Sequence, residues 1–125
     1  MKILLSIKPE FADKIFEGTK QFEFRKSIFK DKTVRKVVVY ASSPIQKVVG
    51  EFEIEYILNT NPSTLWEETK EFAGISKEFF DAYFNNRKMA FAFKIKSVKS
   101  YKQPLCLKRD FKINTPPQSF MYLND

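Results

Sequence analysis

Apolar and polar residues alternate over four stretches of the chain, which is the pattern of strands that bury one face of a sheet. The four stretches are residues 2–8, 20–26, 47–57 and 89–99. In the third stretch, Phe52, Ile54 and Tyr56 are predicted to face inward, while the glutamates between them face solvent and pair with lysines of the fourth stretch. A largely β-branched run over residues 37–41 predicts a strand buried on both faces, and residues 105–107 could form a further strand.

Helical periodicity occurs in three places. Apolar residues repeat at helical spacing after Pro9, which suits the first turn of a helix, and Gly18 ends that pattern. Two more helices are predicted before the last alternating stretch, the first capped by Asn61 or Ser63 and the second by Ser76. This order of elements predicts an α+β fold, a small β-barrel of mostly antiparallel strands with about three helices.

The composition limits the chemistry available to the chain. Histidine is absent, which removes the commonest zinc ligand and the commonest general base at neutral pH, and we predict no cofactor and no metal site. Fourteen phenylalanines can form a core without disulfides, and Cys106 is the only cysteine in the sequence. From the length of the chain, we expect one domain over residues 1–125. Since the sequence shows no secretory signal and no long apolar run, we expect a cytoplasmic protein outside membranes, a monomer by default.

Charge is positive overall and uneven along the chain. The 22 lysine and arginine residues outnumber 15 acidic residues, which gives a formal net charge of +7. Residues 94–112 are strongly basic, whereas residues 51–71 are strongly acidic. A basic side of this kind favours a polyanionic partner such as nucleic acid, although the same charge also serves solubility in proteins that bind no polyanion.

The polar residues of the second alternating stretch are the best candidates for a functional site. Strand alternation turns Glu23 and Arg25 away from Phe22 and Phe24 in the run GTKQFEFR, residues 18–25. Glu23 and Arg25 are two residues apart, about 6–7 Å along a strand, so they can hold one polar ligand group between them. Lys20 lies at the turn before the strand, where alternation does not fix its direction.

Three features of the sequence together resemble the ASCH domain family, whose β-barrel is related to the PUA domain. They are the spacing Gly-x-Lys-x-x-Glu-x-Arg, the opening LSIKP of residues 5–9 and the tail PPQSFMYL of residues 116–123. The resemblance implies a PUA-like fold that binds RNA or another nucleic acid, and a regulatory role is one option for it. Some members are similar to ribonucleases or to amidohydrolases acting on acetylated cytidine. Those amidohydrolases use a Lys, a Thr nucleophile and a distant Glu, and while Lys20 matches the lysine, Glu23 occupies the position of the threonine.

A barrel would gather further polar residues beside this motif. We predict a nucleic-acid or ligand-binding cleft formed by Ser6, Lys8, Lys20, Glu23, Arg25, Ser42, Gln118 and Ser119. Lys and Arg suit phosphate, whereas Glu, Gln and Ser suit base edges, so RNA binding is the first hypothesis. Three other hypotheses stay open. In the first, Glu23 and Arg25 only pair with each other or with neighbours, and in the second, the cleft binds a modified nucleoside or small metabolite. In the third, Lys20 and Glu23 form the catalytic acid/base pair of a metal-independent hydrolase on RNA or nucleosides.

Overall fold

The computed structural model describes residues 1–124. These residues form six strands, four α-helices and one 3₁₀ turn. In chain order they are β1 (Lys2–Ile7), α1 (Pro9–Glu17), β2 (Phe22–Arg25), β3 (Lys36–Ala41), β4 (Lys47–Thr60), α2 (Pro62–Thr69), the 3₁₀ turn (Lys70–Phe72), α3 (Lys77–Tyr83), β5 (Ala90–Leu105), α4 (Leu107–Phe111) and β6 (Phe120–Leu123).

All six strands belong to one mixed sheet in the order β2-β5-β4-β3-β1-β6. Strands β1 and β3 run parallel, and every other neighbouring pair is antiparallel. The edge strands β2 and β6 approach each other. An Arg25 guanidinium nitrogen at the end of β2 donates a 3.1 Å hydrogen bond to the carbonyl oxygen of Ser119, just before β6. The sheet is therefore barrel-like with one open seam between β2 and β6, and the predicted α+β class is confirmed.

The apolar core has three parts, and β3 contributes to two of them. The largest lies inside the curled sheet and includes Val37 and Val39, whereas Val38 packs in a cluster on the outer face. The prediction that this strand is buried on both faces is confirmed. A further cluster packs α2 and α3 over Phe22 and Phe24 of β2. The alternate residues of β2 are thereby left to the inner face, at the seam.

Local sequence signals set the ends of the helices. Pro9 starts α1, and Gly18 ends it with a φ of +92° and an N–H that donates to a carbonyl of the last turn. The side chains of Asn61 and Ser76 accept hydrogen bonds from backbone N–H groups in the first turns of α2 and α3, at 2.8 and 3.0 Å. These helix boundaries agree with the predictions from sequence.

Two features of β4 differ from the predictions. Tyr56 is 44% exposed, so its predicted inward orientation is wrong. The pairing of β4 with β5 shifts register between Ile54 and Tyr56, and an extra residue at that point turns the following side chains to the other face. Glu51 lies opposite Lys99 of β5, as expected for a pair between these strands, but it forms an ion pair with Lys36 of β3, at 3.0 Å.

The predicted strand over residues 105–107 is also wrong. Strand β5 ends at Leu105, and Leu107 begins α4. The Asp110 carboxylate accepts a 2.7 Å hydrogen bond from the backbone N–H of Cys106, which stabilises the first turn of a short helix instead. The described part of the chain therefore contains four helices rather than about three.

Candidate functional site

A pocket of about 210 Å³ opens at the seam of the sheet, and we call it the seam pocket. Four parts of the chain line it: the β1–α1 junction, β2 with the turn before it, helix α3 with the segment before it, and the tail that leads into β6. The lining residues are Ser6, Ile7, Lys8, Phe11, Lys20, Glu23, Phe24, Arg25, Ile75, Phe79, Tyr83 and Gln118. The structure therefore brings six of the eight predicted site residues to one pocket.

Lys20 is buried in the wall of the seam pocket and is only 2% exposed. Its Nζ donates a 2.7 Å hydrogen bond to the carbonyl oxygen of Ala73 and lies 4.8 Å from the ring centroid of Phe24 and 5.5 Å from that of Phe11. Burial lowers the pKa of Lys20 from 10.5 to about 8, although the nearby Glu23 carboxylate opposes the change. An amine with this pKa changes between its charged and neutral forms around pH 8.

The segment between α2 and α3 holds Lys20 in place. Three consecutive carbonyl groups of this segment accept hydrogen bonds from the region around the motif. Gly74 has a φ of +69°, and a Cβ built there would collide with the Cβ and Cγ atoms of Lys20. Glycine is therefore required both by the backbone conformation and by the close approach of the lysine. The three donor–acceptor pairs are Gln21 N–H to Phe72 O, Lys20 Nζ to Ala73 O and Lys14 Nζ to Gly74 O.

Glu23 and Arg25 form an ion pair beside Lys20. A guanidinium nitrogen of Arg25 lies 3.1 Å from Glu23 Oε2, and the two side chains are only 12% and 7% exposed. Since the second guanidinium nitrogen donates to the Ser119 carbonyl, Arg25 links the carboxylate of one edge strand to the chain entering the other. In the register of β2 with β5, Glu23 lies opposite Phe93, which belongs to the core inside the sheet. The carboxylate therefore lies at the boundary between that core and the pocket.

Aromatic side chains form much of the remaining wall, and the sequence did not indicate their role. Those that line the pocket are Phe11, Phe24, Phe79 and Tyr83. Their spacing is that of ordinary apolar helix or strand faces, which is typical of residues that pack in a core. Burial raises the pKa of the Tyr83 phenol. No sequence signal separates an aromatic ring that closes a core from one that faces a pocket.

Comparison with known proteins identifies the family. An ASCH domain-containing ribonuclease of Zymomonas mobilis is 30% identical over 123 residues, which cover 96% of this chain and 82% of the relative. The chain belongs to the ASCH domain family. Residues 2–115 of this ASCH domain also match the family described as a domain of unknown function, DUF365, and it belongs to that family too.

A solved structure agrees closely with this fold. The crystal structure of ASCH from Zymomonas mobilis superimposes with a TM-score of 0.90 at 29% identity, covering 98% of the ASCH domain and 87% of that chain. Two Ureaplasma parvum proteins contain similar segments, the ATP synthase subunit alpha at 37% identity and the large ribosomal subunit protein uL22 at 33%. Each match covers 97% of the ASCH domain, which spans only 15% and 39% of those two relatives.

The remaining predicted residues take different places in the ASCH domain. Gln118 lines the seam pocket, and the Ser6 hydroxyl donates a 2.7 Å hydrogen bond to the carbonyl oxygen of Pro117, which fixes the tail against β1. Ser42 follows β3 and continues its pairing with β1 through a backbone hydrogen bond to Ile7. Ser119 contacts Arg25 through its carbonyl oxygen. Neither Ser42 nor Ser119 is among the residues that line the pocket.

No helix within residues 1–124 has the length and apolarity needed to cross a membrane. No group of three or more Cys, Asp or Glu side chains in the same range has an arrangement suited to a metal ion.

Proposed function

We propose that this ASCH domain binds single-stranded RNA and takes one unstacked nucleotide into the seam pocket. The observation that carries the proposal is the lining of the pocket, where aromatic rings surround cations and one carboxylate. Proteins recognise single-stranded RNA by stacking unpaired bases on aromatic side chains and by hydrogen bonds to the base edges. The seam pocket offers both kinds of contact.

The charges in the pocket favour a base over a phosphate as the group that enters. The Lys20 ammonium and the Arg25 guanidinium can only donate hydrogen bonds, whereas the Glu23 carboxylate can only accept them. A nucleobase presents donors and acceptors on one edge and can satisfy both types. A phosphate only accepts, and it would be repelled by the Glu23 carboxylate. The base therefore fits inside, and the sugar-phosphate backbone stays at the opening.

The relatives and the overall charge support a nucleic-acid ligand. One relative is named a ribonuclease, and another is a protein of the large ribosomal subunit. The net charge of +7 attracts a phosphate backbone before specific contacts form.

Binding of a short fluorescein-labelled RNA of mixed sequence, followed by fluorescence anisotropy at low salt, tests the proposal. Lys20→Met and Glu23→Gln should each weaken binding about tenfold or more. The first removes one of the two cationic donors, and the second replaces the carboxylate by an amide that accepts at only one of its two terminal atoms. Lys77→Met and Glu67→Gln are the controls, since both change exposed, ion-paired residues that do not line the pocket. Absence of binding to RNA and DNA alike would contradict the proposal and favour the small-metabolite hypothesis.

A second candidate function is cleavage of the bound RNA, favoured by the relative named a ribonuclease and by the near-neutral pKa of Lys20. Cleavage requires a second pose, in which the ribose and its phosphate enter the pocket in place of the base. The neutral amine of Lys20 would then take the proton from a ribose 2′-hydroxyl as that oxygen attacks the adjacent phosphorus. The bond from phosphorus to the 5′-oxygen breaks, the Lys20 ammonium returns the proton to that oxygen, and the products are a 2′,3′-cyclic phosphate and a 5′-hydroxyl. Arg25 would stabilise the charge that develops on the phosphate.

Gel analysis of end-labelled RNA after long incubation separates the two functions. Cleavage predicts fragments with cyclic phosphate ends that disappear with Lys20→Met and persist with Lys77→Met. RNA that is bound but stays intact would contradict cleavage and leave binding as the function.

A further inference from the structure

Two lysines at the opening of the seam pocket share an unusual arrangement. The ammonium of Lys8 lies 5.1 Å from the ring centroid of Phe79, and that of Lys26 lies 4.8 Å from the ring centroid of Tyr83. Both rings line the pocket, and both lysine side chains are exposed. Each of the two α3 rings that line the pocket thus has one lysine ammonium over its face.

The two cations come from different strands and meet on one helix. Lys8 follows β1, Lys26 follows β2, and their aromatic partners are four residues apart on α3. Four residues correspond to about one helical turn, or roughly 6 Å along the helix axis. The two exposed lysines are therefore spaced along α3, over rings that line the pocket.

Neither cation is neutralised by a neighbouring acid. Among residues 1–124, no carboxylate forms an ion pair with Lys8 or Lys26. By contrast, Lys70 pairs with Glu67 of α2, and Lys77 pairs with Asp81 of α3. The face of an aromatic ring attracts an ammonium and restricts it, but leaves its hydrogen-bond donors available. Such a group is placed to bind an anion.

We propose that Lys8 and Lys26 bind the two phosphates that flank the nucleotide held in the seam pocket. The inference rests on the proposed function and adds the class of ligand, which is an internal nucleotide of a single strand rather than a free nucleoside. Glu23 keeps phosphate out of the pocket, and the two lysines hold the backbone on both sides of its opening. Lys26 was not among the residues predicted from sequence, because nothing in its local pattern separates it from the basic loop that follows.

The dependence of RNA affinity on salt measures the number of phosphate contacts. Affinity falls as salt rises, and each contact to single-stranded nucleic acid adds roughly 0.7 to the magnitude of the slope of log affinity against log salt. Lys8→Met and Lys26→Met should each lower that slope by about 0.7, and the double variant by about 1.4. Lys70→Met and Lys77→Met remove the same charge from paired positions and should lower it much less.

The result also separates this inference from the proposed function. If the wild type binds the labelled RNA and Lys20→Met abolishes binding, but Lys8→Met and Lys26→Met match the two control variants, the inference is wrong and the proposed function stands. If the wild type binds no RNA, both are wrong. Restoration of the slope by Lys8→Arg and Lys26→Arg would support a phosphate contact over a packing role, since arginine keeps the charge.

Discussion

The Lys20 ammonium is tied to the carbonyl oxygen of Ala73 by a 2.7 Å hydrogen bond across 53 positions of sequence. A side chain that is 2% exposed has lost nearly all of its water, and this carbonyl with two aromatic rings takes the place of that water. The replacement is incomplete, because burial still lowers the pKa of Lys20 to about 8. The protonation of one residue thereby links the stability of the fold to the chemistry of the pocket.

The wild type should gain stability relative to Lys20→Met as pH rises from about 8 to 10.5. The pKa of Lys20 is about 8 in the folded protein and 10.5 in the unfolded chain, so unfolding takes up a proton in this range and its free energy rises with pH. The full change is on the order of 3 kcal/mol. Urea denaturation across this range measures it, with Lys77→Met as the control. Identical pH dependence in the wild type and Lys20→Met would show that the lysine titrates normally.

Gly74→Ala should destabilise the protein more than Gly18→Ala. Both glycines have positive φ values, +69° and +92°, so alanine costs about 1–2 kcal/mol at either position. Only at Gly74 does the added Cβ also collide with Lys20, whereas nothing lies within 4 Å of a Cβ at Gly18. Urea midpoints of the two variants measure the difference. Equal midpoints would mean that the segment can move away from the lysine at little cost.

Glu23 and Arg25 should show strong energetic coupling in a double-mutant cycle. Arg25→Met leaves a carboxylate that is 6% exposed without its cation, so we expect a loss of about 3 kcal/mol, with less lost when Glu23→Gln accompanies it. The exposed pair Lys77 and Asp81 gives the matched cycle, with coupling of about 0.5 kcal/mol or less. Urea denaturation of the wild type and the six variants supplies the free energies of both cycles. Similar coupling in the two cycles would argue against a structural role for the pair at the seam.

Any RNA cleavage should become faster with pH and level off above about pH 8. The reaction requires the neutral amine of Lys20, and the fraction of neutral amine rises through its pKa of about 8. Initial rates over a range of pH, at RNA concentrations that saturate the protein, measure this profile. A rate that falls over the same range would assign the base to another group.

The sequence predicted the side of the strand that carries the site, but not the full lining of the pocket. Alternation correctly set Glu23 and Arg25 opposite Phe22 and Phe24. It could not orient Lys20, which precedes the regular part of β2 and turns toward the ring of Phe24. That direction depends on a carbonyl of a distant segment, and no local pattern contains this information.

Other differences have the same cause, since they depend on partners far along the chain. The inward prediction for Tyr56 assumed unbroken pairing, yet the extra residue in β4 is defined only by its register with β5. The rings of Phe79 and Tyr83 follow an ordinary helical period, and only the arrival of β1 and β2 beside α3 makes them walls of a pocket. Periodicity predicts which face of an element is apolar, but not what that face meets.

The bond from Arg25 to the Ser119 carbonyl spans 94 positions, and that from Ser6 to Pro117 spans 111. Contacts this distant in sequence require the closure of a very long loop, and because of that entropy cost we expect them to form late in folding. During synthesis, strands β1 to β5 can pair before residues 117–119 leave the ribosome, but the seam pocket lacks a wall until they do. The binding site is thus completed only when the tail arrives, and a chain cut before Pro117 would retain much of the sheet without a finished pocket.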